Sequence, residues 1–105
     1  MDKTRVLKLA SDYVGFLISQ HSYEIKEAFL FGSYATNKFN DDSDIDIALV
    51  LTNYNDSIKE LSNLMRLRRK FDLRIEPHPI IEEDFRDDNP FVREIKKGLK
   101  IGVTQ

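Results

Sequence analysis

Residues 28–51 read AFLFGSYATNKFNDDSDIDIALVL, and this stretch decides the fold. The apolar run at residues 28–31 is typical of a buried strand, and it stops at Gly32-Ser33. Residues 37–43 are rich in Asn, Asp and Ser, which favour turns, so they are predicted to form a loop. A second strand is predicted over residues 45–51. The stretch is therefore interpreted as two strands joined by a polar connection that begins at a glycine.

The sequence on either side of this stretch predicts three helices and two further strands. Apolar residues recur at helical spacing before it, and Asn or Asp stands where each later helix is expected to begin. In chain order, the predicted elements are a helix over residues 4–20, the two strands above, a helix from Asn55 or Asp56 to about Lys70, a strand over residues 71–76 ended by Pro77 and Pro79, a helix between Asn89 and Gly98, and a short strand over residues 99–103. This order predicts an α+β fold, a small α/β sandwich, and 105 residues fit one domain spanning residues 1–105.

The composition excludes several classes of function. The chain has a net charge of -2 and no cysteine, which argues against direct nucleic-acid binding, a disulfide framework and a thiolate metal site. No apolar run is long enough to span a bilayer, and no signal region is recognisable, so a cytoplasmic protein without membrane contact is expected.

Acidic residues at alternate positions carry the first chemical signal. Successive side chains of a strand point to opposite faces, so Asp44 and Asp46 are predicted to share one face and to converge on a cation. Asp72 completes a triad if the second and third predicted strands are neighbours, and Glu76 on the same predicted face is an alternative third ligand. Oxygen ligands alone suit Mg²⁺ or Mn²⁺ rather than zinc. His78, between two prolines, is assigned a structural role in the turn that ends the third strand, and contact with a substrate or a partner is the alternative.

Gly32-Ser33 carries the second signal, because it follows a buried strand and is expected to open a short helical turn. A glycine lets a phosphate approach the backbone closely, and backbone N–H groups with a serine hydroxyl can hold anionic oxygens. A metal held by carboxylates opposite a phosphate site is the arrangement used for phosphoryl or nucleotidyl transfer.

At this point the sequence resembles a known family. Gly32-Ser33, ten residues and then Asp44-Ile45-Asp46 is similar to the GSx10DxD motif of the minimal nucleotidyltransferases, which are relatives of DNA polymerase beta. The segment Phe71-Asp72-Leu73-Arg74 resembles the strand that carries the third catalytic aspartate of polymerase beta. The similarity covers roughly residues 25–80. It implies a polymerase-beta-like nucleotidyltransferase fold, a small mixed sheet with helices packed on one side.

The resemblance also implies roles for individual residues. Asp44, Asp46 and Asp72 are implied to be catalytic ligands of two Mg²⁺ ions, with Mn²⁺ as a substitute. Gly32 and Ser33 are implied to bind the triphosphate of ATP or another nucleoside triphosphate.

The chain departs from the family where a triphosphate clamp is expected. Many relatives carry arginines close after the Gly-Ser pair, in a pattern like GSRARG, whereas residues 32–37 here read GSYATN. Lys38 and Arg74 are the candidate replacements for these nucleotide-binding arginines.

The same resemblance extends to the antitoxin half of toxin-antitoxin pairs. It implies transfer of AMP from ATP to a tyrosine hydroxyl of an all-helical HEPN toxin, which silences that toxin. Two alternatives stay open: a binding module that neutralises the toxin by contact alone, and transfer to a small-molecule acceptor. A homo-oligomer also stays open, because Tyr13, Phe16 and Leu17 fit either core or dimer contacts.

Overall fold

A computed structural model of the chain describes residues 2–52 and 54–103. Its elements follow in the order α1 (Lys3–His21), β1 (Ile25–Phe31), a first 3-10 turn (Gly32–Tyr34), β2 (Ile45–Leu51), α2 (Ser57–Leu67), a second 3-10 turn (Arg68–Lys70), β3 (Ile75–Ile81), a third 3-10 turn (Glu82–Asp84), α3 (Pro90–Lys96) and β4 (Leu99–Ile101). The predicted α+β class is confirmed. The predicted domain limits, residues 1 and 105, lie outside the described residues.

The four strands form one mixed sheet in the order β3-β2-β1-β4. β1 is antiparallel to both β2 and β4, whereas β2 and β3 are parallel. The parallel pair requires a crossover connection, which α2 supplies. In this register Asp46 lies opposite Phe31 of β1 and opposite Glu76 of β3.

The two faces of the sheet are covered by different helices, so the expected packing of helices on one side holds for α1 and α2 and is wrong for α3. Side chains of α1 and α2 pack with one face of the sheet in the main core, which includes Ile45 and Ile47 of β2. Ile95 of α3 packs with Phe29 and Phe31 on the other face. Because side chains alternate along a strand, Asp46 lies on the face covered by α3. This short helix leaves room beside it for a site.

The helix α2 begins where the sequence predicts, since Asp56 caps it. The Asp56 carboxylate accepts hydrogen bonds from the backbone N–H groups of Ile58 and Lys59, at 3.0 and 3.1 Å. This satisfies two donors that a helix start leaves without an intrahelical acceptor.

Among the described residues, no helix is both long and apolar enough to cross a membrane.

The predicted third strand is wrong in its position. Residues 71–74 form a turn rather than a strand, and β3 begins only at Ile75. The backbone N–H groups of Phe71 and Asp72 both donate to the carbonyl oxygen of Arg68, at 2.9 and 3.0 Å, and so continue the second 3-10 turn.

The two prolines lie within β3 instead of ending it. Pro77 and Pro79 are tolerated because β3 is the edge strand, where alternate residues need no partner for a backbone N–H. The consequence of both corrections is that β3 carries Glu76 and His78 rather than Asp72.

Candidate active site

The first 3-10 turn brings the Gly-Ser pair against the second strand. Gly32 has a φ of 75°, in the left-handed region that glycine tolerates best. A methyl group added there would lie 2.5 Å from the Oδ2 atom of Asp46. Gly32 therefore lies close to the Asp46 carboxylate, and a larger residue there would meet both an unfavourable backbone angle and a side chain that has to shift.

The two aspartates predicted from the sequence lie at the start of β2. Asp46 is the second residue of β2, and 25% of its side chain is exposed. Asp44 is exposed and lies immediately before the strand. Both carboxylates can therefore reach solvent from the same end of the sheet, close to the turn at Gly32.

His78, which is predicted from the sequence to lie in a turn, contacts this site directly. The Nε2 atom of His78 lies 3.0 Å from the Oδ1 atom of Asp46. The imidazole ring packs edge-on against Phe31, with ring centroids 5.0 Å apart, and it also contacts Phe91. The Asp46 carboxylate thus has one oxygen on His78 and the other against Gly32, which fixes its orientation.

Asp72, the third aspartate predicted from the sequence, is held by an arginine side chain. It lies in the turn before β3, and Arg74 binds both of its oxygens, with Nε to Oδ1 at 3.0 Å and Nη2 to Oδ2 at 2.8 Å. These hydrogen bonds lower the pKa of Asp72 below its ordinary value, although partial burial opposes the shift. Arg74 also donates from Nη1 to the Asp41 carbonyl oxygen at 2.9 Å. The geometry therefore gives this pair a structural role in joining the turn to the loop before β2.

Glu76 occupies the position beside Asp46 on the neighbouring strand, where Asp72 is predicted from the sequence. It is the strand neighbour of Asp46 in the parallel β2–β3 pair, and such neighbours stand about 4.8 Å apart. Its carboxylate lies 3.6 Å from the guanidinium of Arg68. In residues 2–52 and 54–103, no three acidic, histidine or cysteine side chains already converge as a metal cage. Asp44, Asp46 and Glu76 nevertheless offer the oxygen donors that Mg²⁺ prefers.

The remaining predicted nucleotide-binding residues surround the turn. Ser33 is half-buried in the first 3-10 turn, and its carbonyl oxygen accepts from the backbone N–H of Lys38 at 3.0 Å. The Lys38 side chain is exposed in the loop that follows. Lys38 is therefore available to an anionic ligand, whereas the guanidinium of Arg74 already has partners.

The fold and the site together define a domain of the nucleotidyltransferase class. A sequence model of the family described as Polymerase beta, Nucleotidyltransferase matches residues 17–97. The chain belongs to this family. A comparison with curated proteins found no significant match.

Two solved structures are similar to this chain. A crystal structure of a toxin-antitoxin with AMP-PNP is 21% identical, with a TM-score of 0.63, and the match covers 90% of this chain and 74% of that one. At this level of identity the similarity shows the fold. A provisionally assigned nucleotidyltransferase from Sulfolobus solfataricus is 32% identical, with a TM-score of 0.46, and the match covers 75% of this chain and 68% of that one.

Proposed function

We propose that this chain transfers AMP from ATP to a hydroxyl group of a protein partner, and that it acts in this way as an antitoxin against a HEPN-type toxin. The observation that carries the proposal is the close approach of Gly32 to Asp46, since a methyl group in place of a Gly32 hydrogen would lie 2.5 Å from Oδ2. This contact joins a turn able to bind phosphate to a carboxylate able to bind metal. The toxin-antitoxin structure with AMP-PNP, which shares the fold, supports the choice of nucleotide and of partner.

In the proposed reaction, the acceptor hydroxyl releases its proton to solvent, its oxygen bonds to the α-phosphorus of ATP, and the bond from that phosphorus to the bridging α–β oxygen breaks as pyrophosphate leaves. Two bound Mg²⁺ ions, for which Mn²⁺ can substitute, would activate the acceptor hydroxyl and stabilise the leaving group. Asp44 and Asp46 are proposed to hold these ions. Gly32 and Ser33 hold the triphosphate through backbone N–H groups and the serine hydroxyl, and Lys38 adds a positive charge.

Glu76 is proposed as the third carboxylate, in place of Asp72. Its place beside Asp46 in the sheet supports this choice, and the two hydrogen bonds that tie Asp72 to Arg74 weigh against the alternative. We expect Glu76→Gln to lower the transfer rate at least about 100-fold while ATP still binds. Asp72→Asn is the matched control, and it is expected to lower stability while transfer continues. The opposite outcome, transfer abolished by Asp72→Asn and kept by Glu76→Gln, restores Asp72 as the ligand.

The decisive experiment has two parts. Calorimetry measures binding of ATP with Mg²⁺ to the wild type and to Asp44→Asn/Asp46→Asn, and we expect binding that needs the metal and is lost in the double variant. ATP labelled at the α-phosphate is then incubated with the chain and a purified HEPN-type toxin. Label on the partner from α-labelled ATP and none from γ-labelled ATP supports transfer of AMP. Label from γ-labelled ATP contradicts it.

A second candidate function rests on the arginine clamp. Arg74 is engaged by Asp72 and by the Asp41 carbonyl oxygen, so Lys38 is the one proposed replacement with an exposed side chain. A chain without a triphosphate clamp can still act as a binding module that neutralises its partner by contact. Partner binding that survives Asp44→Asn, together with no transfer of label by the wild type, favours this alternative.

A further inference from the structure

A cavity of about 300 Å³ adjoins the Gly-Ser turn on the side of the sheet covered by α3. Its walls include Gly32 and Ala35 from the turn region, and Phe31 of β1. Phe91 and Gly98 close it from α3 and from the end of that helix. This volume lies at the lower end of the range for small-ligand sites in proteins, about 300–1,000 Å³.

Phe91 presents an accessible aromatic ring to this cavity. It is 44% exposed, although most large apolar side chains of a folded domain are covered. Its ring contacts Phe31 edge-on, with centroids 5.6 Å apart. Asn89, whose side chain accepts from the backbone N–H of Phe91 at 2.9 Å, fixes the helix start on which the ring stands. The contact with Phe31 therefore supports one side of the ring while part of its surface stays open.

Gly98, at the end of α3, also lines the cavity. A methyl group at Gly98 would strike the Leu30 carbonyl oxygen, so no larger residue fits there. At the rim, the Nζ atom of Lys97 lies 3.2 Å from a carboxylate oxygen of Glu94. Because these charges offset each other, the rim offers no net positive charge to a phosphate group. The cavity is thus suited to a flat, uncharged group.

We propose that this cavity binds the nucleobase of the triphosphate whose phosphates lie at Gly32-Ser33, with Phe91 stacked on the base. The inference rests on the proposed nucleotidyltransferase function and adds the surface that recognises the base. The cavity shares Gly32 with the phosphate-binding turn, so one ligand reaches both. A neighbouring groove beside His78 also includes Phe91, but its lining does not include Gly32. Purines are favoured over pyrimidines, because their larger rings cover more of the phenyl face.

The test compares ATP with tripolyphosphate, which carries the phosphates without a base. Calorimetry with Mg²⁺ measures both ligands on the wild type, Phe91→Ala and Phe91→Trp. Loss of one stacked base costs about 10- to 100-fold in affinity, so Phe91→Ala should weaken ATP binding by that factor and leave tripolyphosphate binding unchanged. Phe91→Trp keeps an aromatic ring at this position and should bind ATP with about the affinity of the wild type. In proton spectra of the wild-type complex, the adenine H2 and H8 resonances should shift upfield under the ring current of Phe91.

Two further variants separate base recognition from damage to the fold. Leu73→Ala removes another large exposed apolar side chain, 65% exposed, which lies in the turn before β3, and it should change neither affinity. Ala35→Leu places a larger side chain in the lining of the cavity and should weaken ATP binding while tripolyphosphate still binds.

The outcomes distinguish this inference from the proposed function. If the wild type binds ATP and tripolyphosphate equally well and Phe91→Ala changes neither, the base site is refuted and the phosphate site stands. If the wild type binds neither ligand, the phosphate site fails, and the inference fails with it.

Discussion

Replacing Gly32 with alanine tests the contact on which the site depends. The φ of 75° costs a residue with a Cβ atom about 1–2 kcal/mol. The new methyl would also lie 2.5 Å from Oδ2 of Asp46, almost 1 Å closer than ordinary van der Waals contact. The Asp46 carboxylate must therefore move, which disturbs its 3.0 Å contact with His78 and costs about 1 kcal/mol more.

The expected destabilisation of Gly32→Ala is thus about 2–3 kcal/mol, which lowers the Tm by roughly 10 °C or more in a domain of this size. A small domain has about 5–15 kcal/mol of stability, so the variant still folds at room temperature. Circular dichroism measures the Tm, and calorimetry on the folded variant measures Mg-ATP binding. Because Asp46 is displaced, we expect affinity to fall at least about tenfold, a loss of about 1.4 kcal/mol.

Gly15→Ala is the matched control. Gly15 lies inside α1, and a methyl group added there meets no atom within 4 Å. Alanine in a helix interior is favoured over glycine by about 0.5–1 kcal/mol, so this variant should be more stable than the wild type and bind Mg-ATP normally. A Gly32→Ala variant with the Tm and the ATP affinity of the wild type would refute the proposed contact between the turn and the carboxylate.

Three further predictions concern residues around the site and in the core. Lys38→Ala should weaken Mg-ATP binding about three- to tenfold, because an exposed charge near a phosphate contributes about 1 kcal/mol. Arg74→Ala should instead act mainly on stability, with a lower Tm and a smaller loss of affinity than Lys38→Ala. A larger loss of affinity in Arg74→Ala by calorimetry, or a larger loss of Tm in Lys38→Ala by thermal unfolding, contradicts these roles. Arg74 lowers the pKa of Asp72, so the stability from this pair is present above the ordinary carboxyl pKa of about 3.9 and is lost as the pH falls through the lower folded-state pKa. The Tm difference between wild type and Asp72→Asn should therefore be full at pH 7 and shrink below about pH 4, and a constant difference counts against it. Burial raises the pKa of Tyr13, whose hydroxyl donates to the Leu64 carbonyl oxygen at 2.9 Å. The contribution of this hydroxyl to the free energy of unfolding is therefore present below about pH 10 and is lost as the pH rises further. In denaturant titrations, Tyr13→Phe should lower the free energy of unfolding by about 1 kcal/mol at pH 7 and should lose less stability than the wild type above pH 10.

The third strand shows where reasoning from the sequence reached its limit. The alternation of charged and apolar residues predicts a strand over residues 71–76, whereas the strand lies at Ile75–Ile81 and residues 71–74 form a turn. The prolines were treated as strand breakers. They are accepted because β3 has a neighbour on one side alone, and the position of a strand in a sheet is not encoded in its own residues.

The shift of that strand also changes the predicted site. Asp72 leaves the strand and binds Arg74, whereas Glu76 becomes the neighbour of Asp46. His78 was missed as a contact of Asp46 for the same reason. The sequence does carry one indication of this contact: His78 lies two residues after Glu76, and residues two apart on a strand share a face.

The sequence by itself determined the motif and the elements other than the third strand. Three patterns are local in the sequence: cap residues such as Asp56, the apolar periodicity, and the spacing from Gly32-Ser33 to Asp46. They can therefore be recognised without knowing which strands pair. Tertiary structure alone decided which carboxylate stands beside Asp46, which guanidinium is already occupied and which aromatic ring borders the phosphate-binding turn. These depend on strand order and register, and on contacts between residues distant in the chain, which a local pattern does not specify.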